Sequence, residues 1–100
     1  MSVRRLAATI EARRNADPAA SWTAQLLRDP ERAARKFGEE AVEAVVEAVR
    51  GDRARLAAEA ADALYHLLVM CAARGVSLAD VEAELARREG RSGLDEKAAR

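Results

Sequence analysis

Residues 39–62 read EEAVEAVVEAVRGDRARLAAEAAD, two alanine-rich segments on either side of Gly51-Asp52. At about 100° per residue, the acidic residues before Gly51 fall on one side of a helix and the valines on the other, which is the pattern of an amphipathic helix. Glycine is common just past the end of a helix, and aspartate is common at an N-cap. The segment therefore predicts two helices joined by a tight turn, an antiparallel hairpin.

Helix start and stop signals on both sides of this hairpin predict three more helices. Proline disfavours helix in the residue before it, so Pro18 ends the first helix, whereas Asp29-Pro30 is a typical helix start. Ser77 with Asp80 three residues later indicates a capping box. The five predicted helices run from Val3 to Ala16, from the Ser21 cap to about Arg28, from Asp29-Pro30 to about Arg50, from about Arg53 to Arg74, and from Ser77 to about Glu89. We expect a loop at 90–93 and a last helical turn at 95–100.

The composition favours helix and supplies little apolar core. The chain has 25 alanines and 24 large apolar residues, counting Leu, Ile, Val, Met, Phe, Trp and Tyr. Alanine and arginine favour helix, and small domains bury a smaller share of their surface than large ones. We therefore predict an all-α helical bundle of about five helices, a single domain over residues 1–100, whose core is completed in a homodimer.

Charge and apolar runs argue against two classes of partner. Seventeen Lys and Arg balance 17 Asp and Glu, so the formal net charge is zero. Proteins that bind nucleic acid or anionic membranes need an excess of basic residues, and the longest apolar run, Leu67 to Ala73, is far shorter than the ~18 residues of a membrane span. No export signal is visible, and the single cysteine, Cys71, makes no intrachain disulfide. We expect a cytoplasmic protein that binds neither nucleic acid nor membrane.

The fourth predicted helix is apolar around almost its whole circumference, which predicts that it is buried. Its acidic residues are Glu59 and Asp62, one turn apart, and with Arg55 and His66 they form its one polar stripe. The hairpin places this stripe opposite the glutamates of the third helix. Buried carboxylates are costly unless they are paired with cations or bound to a metal. A positive charge is therefore expected among them.

Two interpretations supply that charge. In the first, interhelical salt bridges neutralise the acids, and the available cations are Arg35, Lys36, Arg50 and Arg55. In the second, a divalent cation does so, because Glu-x-x-Glu and Glu-x-x-Asp each place two carboxylates on one helix face. Two such pairs facing each other offer four oxygen ligands, the donor type that magnesium prefers, and the chain has no Cys/His cluster suited to zinc. The spacing favours the metal without excluding the salt bridges.

These acidic residues also carry a family resemblance. Glu39-Glu40-Ala-Val-Glu43 and Glu59-Ala-Ala-Asp62 resemble the EExxE and ExxD signature of the all-α nucleoside triphosphate pyrophosphohydrolases, a superfamily that includes MazG-type enzymes and dimeric dUTPases. From Leu6 to Arg100, the chain is more specifically similar to the phosphoribosyl-ATP pyrophosphohydrolase family. That similarity lies in Ser21-Trp-Thr, Lys36-Phe-Gly-Glu-Glu, Asp62-Ala-Leu-Tyr-His66 and Ser92-Gly-Leu-Asp-Glu-Lys97.

The resemblance implies a reaction and a cofactor. Enzymes of this family hydrolyse phosphoribosyl-ATP to phosphoribosyl-AMP and pyrophosphate, the second step of histidine biosynthesis, with Mg²⁺. The metal would neutralise the polyphosphate and lower the pKa of the attacking water. By motif position the implied metal ligands are Glu40, Glu43, Glu59 and Asp62. Glu39 is the catalytic candidate, with three roles open to it: holding a second cation, positioning water, or acting as the base.

Residues outside the acidic signature have a functional and a structural interpretation each. The substrate-binding candidates are Lys36, Arg88, Ser92 and Lys97. Lys36 either holds a phosphate or offsets the nearby acids, and the other three belong to a basic tail that either contacts substrate or is only solvated. His66 is a lone histidine on a buried helix, so we expect a hydrogen-bonded structural residue. Tyr65 and Trp22 are expected to be packing residues.

Two rival functions follow from the same residues. One is a house-cleaning pyrophosphohydrolase of the same superfamily that acts on ordinary nucleoside triphosphates. The other is a non-enzymatic interaction module in which arginines neutralise the acids. Because no cyclohydrolase segment precedes Met1, we expect a stand-alone hydrolase.

Overall fold

A computed structural model describes residues 1–90, 93 and 97 of the chain. Residues 1–90 form five α-helices and no strand, which confirms the predicted all-α class. The helices are α1 (Val3–Ala12), α2 (Trp22–Leu27), α3 (Pro30–Arg50), α4 (Arg53–Ala73) and α5 (Leu78–Arg87).

Every one of these helices begins at a short polar side chain. In each case the side-chain oxygen of the N-cap accepts a hydrogen bond from the backbone N–H three residues later, which satisfies one of the unpaired donors of the first turn. The five N-caps are Ser2, Ser21, Asp29, Asp52 and Ser77. The capping box predicted at Ser77 and Asp80 is confirmed, because the Asp80 carboxylate accepts from the Ser77 N–H at 2.9 Å. Caps of this kind contribute about 1 kcal/mol each.

Two predicted helix ends and one predicted loop differ from the structure. The first helix ends at Ala12 instead of Ala16, because the chain tightens into i→i+3 bonds at residues 13–16, beginning with Arg13 N–H to the Ile10 carbonyl at 3.0 Å. The fifth ends at Arg87, two residues early. Gly93, predicted to lie in a loop, is helical, since one glycine costs a helix only about 1 kcal/mol. Of the last turn predicted at 95–100, only Lys97 is described, and it is helical.

The α3–α4 hairpin is the framework of the fold. Both helices have 21 residues, and they turn at Gly51, whose φ of 80° is left-handed backbone that a side chain disfavours. The Gly51 N–H closes the end of α3 by donating to the Glu47 carbonyl at 3.0 Å. The predicted antiparallel hairpin is confirmed, and it sets the carboxylates of the two helices against each other.

A small apolar core lies at the end of the hairpin far from the Gly51 turn. Both α1 and α2 pack against α4, and α2 also contacts α3. The buried apolar residues of this core are Ile10, Leu26, Leu27, Ala33, Leu68 and Val69. The half of the hairpin next to the Gly51 turn receives no such cover from α1 or α2.

The prediction that the fourth helix is buried all round is wrong for a single chain. In α4 the buried residues are His66, Leu68 and Val69, all in its second half. On α3 the valine face is exposed as well, with Val45 60% and Val49 83% accessible. Within residues 1–90, no further helix covers these surfaces. By length and composition alone α4 could cross a membrane, and 17% of its most apolar 18-residue window is buried in the chain.

Two glycines of α3 and its turn give a matched test of this hairpin. Gly51→Ala should destabilise the protein by about 1–2 kcal/mol, because it forces a Cβ into left-handed backbone. Gly38 lies inside α3, and a Cβ there would meet nothing within 4 Å. Gly38→Ala should therefore stabilise by about 0.5–1 kcal/mol. Urea denaturation at one fixed protein concentration measures both, and equal effects of the same sign would contradict the described turn.

Candidate metal centre

Three carboxylates from the two hairpin helices meet at one point. One oxygen each of Glu40, Glu43 and Glu59 lies within 4.8 Å of the other two. Glu40 and Glu43 are three residues apart on α3 and so share a face, and the antiparallel turn brings Glu59 of α4 opposite them. The structure therefore brings together three of the four predicted metal ligands. We call these three residues the carboxylate trio.

The trio is electrostatically strained. Burial raises the pKa of Glu59 above its ordinary value of 4.5, and the neighbouring carboxylates, Glu43 first among them, raise it further. Burial likewise raises the pKa of Glu40, again with a contribution from Glu43. Both effects disfavour the ionised form, the first by loss of water and the second by like-charge repulsion.

Two of the arginines that could have neutralised the trio form ion pairs with other carboxylates. Arg50 pairs with Glu47 at 3.2 Å, and Arg55 pairs with Asp52 at 3.7 Å. Lys36 is the nearest cation, with its Nζ 3.0 Å from Glu39 and 3.9 Å from Glu40. Within residues 1–90, neither Glu43 nor Glu59 has an ion pair with any basic residue. The structure therefore departs from the interhelical salt bridges of the first interpretation.

The donor set of the trio suits a hard divalent cation. Oε2 of Glu59 is buried and has no hydrogen-bond partner in the described part of the chain. A buried anionic oxygen without a partner is costly, and a cation at the trio would satisfy it. Oxygen ligands alone suit Mg²⁺ or Mn²⁺ better than zinc. The residues present thus fit the cofactor implied by the family resemblance.

Asp62 and Glu39 lie at the edge of the trio. Asp62 is exposed and does not belong to the 4.8 Å group, but its charge contributes to the raised pKa of Glu40 and of Glu59. Glu39 is exposed and is held by Lys36. In the single chain neither carboxylate touches the point where the trio converges.

Comparison of the sequence with known proteins shows which of them it is similar to. A sequence profile of the phosphoribosyl-ATP pyrophosphohydrolase family matches residues 3–89. A protein of Cereibacter sphaeroides (strain ATCC 17025) named phosphoribosyl-ATP pyrophosphatase is 74% identical over 97 residues, which cover 96% of this chain and 94% of that protein. Proteins of the same name from Jannaschia sp. (71% identical, 98% and 97% covered) and Paracoccus denitrificans (70% identical, 96% and 90% covered) are also similar.

The chain belongs to the phosphoribosyl-ATP pyrophosphohydrolase family. The trio is thus the part of this family's EExxE and ExxD signature that the structure gathers within 4.8 Å. The remaining acids of the signature, Glu39 and Asp62, flank it.

Among the predicted substrate-binding residues of this family member, Lys36 contacts the trio, with its Nζ 3.9 Å from Glu40. Arg88 follows α5 and pairs with Glu84 at 3.1 Å. Hydrogen bonds from Arg87 and Arg88 lower the pKa of Glu84 to about 2. Lys97 is exposed and helical. Ser92 lies outside the described residues.

Sequence reasoning missed two contacts near the centre. The hydroxyls of Thr23 and Tyr65 share a hydrogen bond of 2.5 Å that ties α2 to α4. The Ser21-x-Thr23 segment of the family resemblance was a signal for it, although the partner of Thr23 could not be read from the sequence. Glu47 is buried next to Arg50 on α3, one turn beyond Glu43. In the sequence, Glu47 and Glu43 lie on the same acidic side of the helix, so nothing there predicted that Glu47 would be buried and Glu43 exposed to solvent.

The raised pKa of Glu59 predicts how metal-free stability depends on pH. Because the folded protein holds this proton more tightly than the unfolded chain, Glu59 lowers stability as pH rises above about 4.5 and through the raised pKa. Glu59→Gln removes this contribution. The stability of the variant minus that of wild type should therefore increase from pH 4 to pH 7 in the presence of EDTA.

Urea denaturation at several pH values measures this difference. Glu89→Gln, in an exposed turn after α5, is the control and should give a flat difference. A difference that falls with rising pH would mean that a cation stabilises ionised Glu59, which is the salt-bridge interpretation.

Proposed function

We propose that this chain hydrolyses phosphoribosyl-ATP to phosphoribosyl-AMP and pyrophosphate at the carboxylate trio, with Mg²⁺ as cofactor. The observation that carries the proposal is the trio itself, three carboxylates within 4.8 Å in a member of this family, two of them without a paired cation in residues 1–90. The names of its relatives supply the substrate.

The reaction adds water across the anhydride between the α and β phosphates. One phosphorus gains the hydroxyl group of water, the P–O bond to the bridging oxygen breaks, and that oxygen leaves with the other phosphate. The proton passes to a basic group or to solvent. Since both substrate and products are polyanions, an acidic centre can accept them only with added positive charge.

The chain's own residues divide this work. Glu40, Glu43 and Glu59 would hold the cation, and Asp62 would complete the oxygen set from the next turn of α4. When bound, Mg²⁺ supplies charge that offsets the phosphates and lowers the pKa of a nearby water. Ionised carboxylates only accept hydrogen bonds, so the trio and Glu39 orient water through its O–H groups. Lys36, whose side chain is 30% exposed, offers an ammonium to a phosphate oxygen.

A second copy of the chain completes the core in this proposal. The valine face of α3 is exposed, and the first half of α4 has no buried residue. Exposed apolar patches mark interaction sites. A two-fold dimer through the hairpin buries them. This assignment accounts for the apolar character of α4 without a membrane, since Glu59 and Asp62 lie on the same helix. Cytoplasmic location and the absence of nucleic-acid partners remain predictions from charge and composition.

Pyrophosphate release tests the proposed reaction. With Mg²⁺ the purified protein should release pyrophosphate from phosphoribosyl-ATP and not from ordinary nucleoside triphosphates, and EDTA should abolish release. Mutation of a residue that only supports a metal ligand lowers activity by about 10–100-fold. Glu43 is proposed as a direct ligand, so Glu43→Gln should lower kcat by at least about 100-fold. Glu89→Gln is the control, since nothing places it in the centre.

Two outcomes would contradict this proposal. Release from ordinary triphosphates alone would assign the chain to the house-cleaning function. No release from any substrate by folded protein would favour the salt-bridged module.

Two equally exposed valines test the dimer. Val46 of α3 and Val3 of α1 are each 41% accessible. Val46→Asp places a charge in the proposed interface and should shift the mass measured by light scattering from twice 10.8 kDa towards 10.8 kDa. Val3→Asp should leave it unchanged. A monomeric wild type, or a dimer that survives Val46→Asp, would contradict the hairpin interface.

A further inference from the structure

The one histidine of the chain lies beside the carboxylate trio. His66 is on α4, seven residues or about two turns after Glu59 and four after Asp62, so the three share one face of the helix. It is 8% accessible, which makes it one of the few buried polar residues of the described chain. Neither ring nitrogen belongs to the group of ligand atoms that converge within 4.8 Å. His66 therefore lies on the same face of α4 as Glu59 and is not part of the trio.

The contacts of the ring show which of its nitrogens donates a hydrogen bond. Nδ1 lies 2.8 Å from the backbone carbonyl oxygen of Asp62. A carbonyl only accepts hydrogen bonds, so Nδ1 carries the hydrogen and donates it. In the neutral ring Nε2 is then a bare acceptor. This nitrogen is buried and has no hydrogen-bond partner within the described residues.

The ring is also held in this orientation. Tyr65 packs edge-on against it, with ring centroids 4.8 Å apart and planes at 85°. Tyr65 is itself tied to α2 through the hydroxyl of Thr23. The two contacts and the Asp62 bond hold the ring over the turn of α4 that contains Asp62, on the helix face that also carries Glu59. A buried acceptor in this fixed position lacks only a donor.

With a divalent cation bound the carboxylates of the trio are ionised, and they cannot be that donor because they then carry no hydrogen. Water can be, since it has two O–H groups and is drawn to the charge at the trio. We propose that His66 is a positioning residue, whose Nε2 accepts a hydrogen bond from a water molecule held at the carboxylate trio and so orients that water. The inference deepens the proposed function and rests on its divalent cation.

In this arrangement the Asp62 carbonyl fixes the ring, the ring fixes the direction of one O–H group, and the water oxygen turns its lone pairs away from His66. Outer-shell partners of this kind orient the groups around metal sites and cost about 10–100-fold when removed. The role assigned to His66 differs from the structural one expected from its sequence context, because it uses Nε2 as well as Nδ1.

A nitrogen spectrum tests the tautomer and the acceptor directly. With a single histidine, ¹⁵N-labelled protein gives one imidazole spectrum. At mildly alkaline pH and without metal, Nδ1 should carry the hydrogen. Adding Mg²⁺ should shift the Nε2 resonance towards the value of a hydrogen-bonded nitrogen. A hydrogen on Nε2 overturns the inference.

The backbone amides of Glu43 and Glu59 separate this inference from the proposed function. If Mg²⁺ shifts these amides while Nε2 does not move, the cation binds and the inference on His66 is overturned. If neither the amides nor Nε2 respond, the metal centre fails and the inference fails with it.

Two substitutions separate the nitrogens of the ring. Asn can keep the donor at the Nδ1 position and lacks the distal acceptor, whereas Gln reaches the Nε2 position and lacks the near donor. His66→Gln should stay within about tenfold of wild-type kcat, and His66→Asn should lose about 10–100-fold, both with unchanged circular dichroism. If His66→Asn instead keeps more of the wild-type kcat than His66→Gln, only the hydrogen bond to the Asp62 carbonyl matters, and the proposal is overturned. Should either variant fail to fold, the ¹⁵N titration of wild type still decides.

Discussion

The repulsion among three carboxylates at the centre of the hairpin is the constraint on which the rest of the structure depends. Glu40 and Glu43 are fixed relative to each other by one turn of α3, and Glu59 is brought opposite them by the turn at Gly51. The backbone positions of all three are fixed while both helices remain intact. Burial raises the pKa values of Glu40 and Glu59, and this repulsion raises them further. A protein keeps such a centre when a cation balances it, as in the second interpretation of the sequence.

The other helices divide their work around that centre. The small α1 and α2 cover the far half of the hairpin and build the buried core there, which holds α3 and α4 in register. The near half keeps its polar face for the trio and exposes its valines. The half of the hairpin far from Gly51 therefore stabilises the single chain through the buried core. The half near Gly51 carries the carboxylate trio and, in the proposed dimer, the interface.

Local signals in the sequence predicted much of this architecture. Four helix starts and the hairpin could be predicted, because they depend on signals that act within a few residues: the serine and aspartate caps, Asp29-Pro30 and Gly51. The end of α1 at Ala12 could not, because it depends on how the chain tightens after this residue. The prediction that α4 is buried all round was wrong for a single chain. An apolar sequence indicates that a surface must be covered, but it does not indicate which chain covers it. The Glu-x-x-Glu spacing predicted the trio. Nε2 of His66 has no hydrogen-bond partner within the described residues. Its position could not be predicted, because the ring is oriented by contacts with Tyr65 and the Asp62 carbonyl that only the folded structure gives.

The central claim is that the carboxylate trio is a cation site, and anomalous scattering from crystals grown with Mn²⁺ tests it most directly. Manganese prefers the same oxygen ligands as magnesium and can be located by its own signal. The account predicts an anomalous peak bonded to oxygens of Glu40, Glu43 and Glu59. Crystals with no peak there, and with a basic side chain placed among the three carboxylates instead, would contradict it.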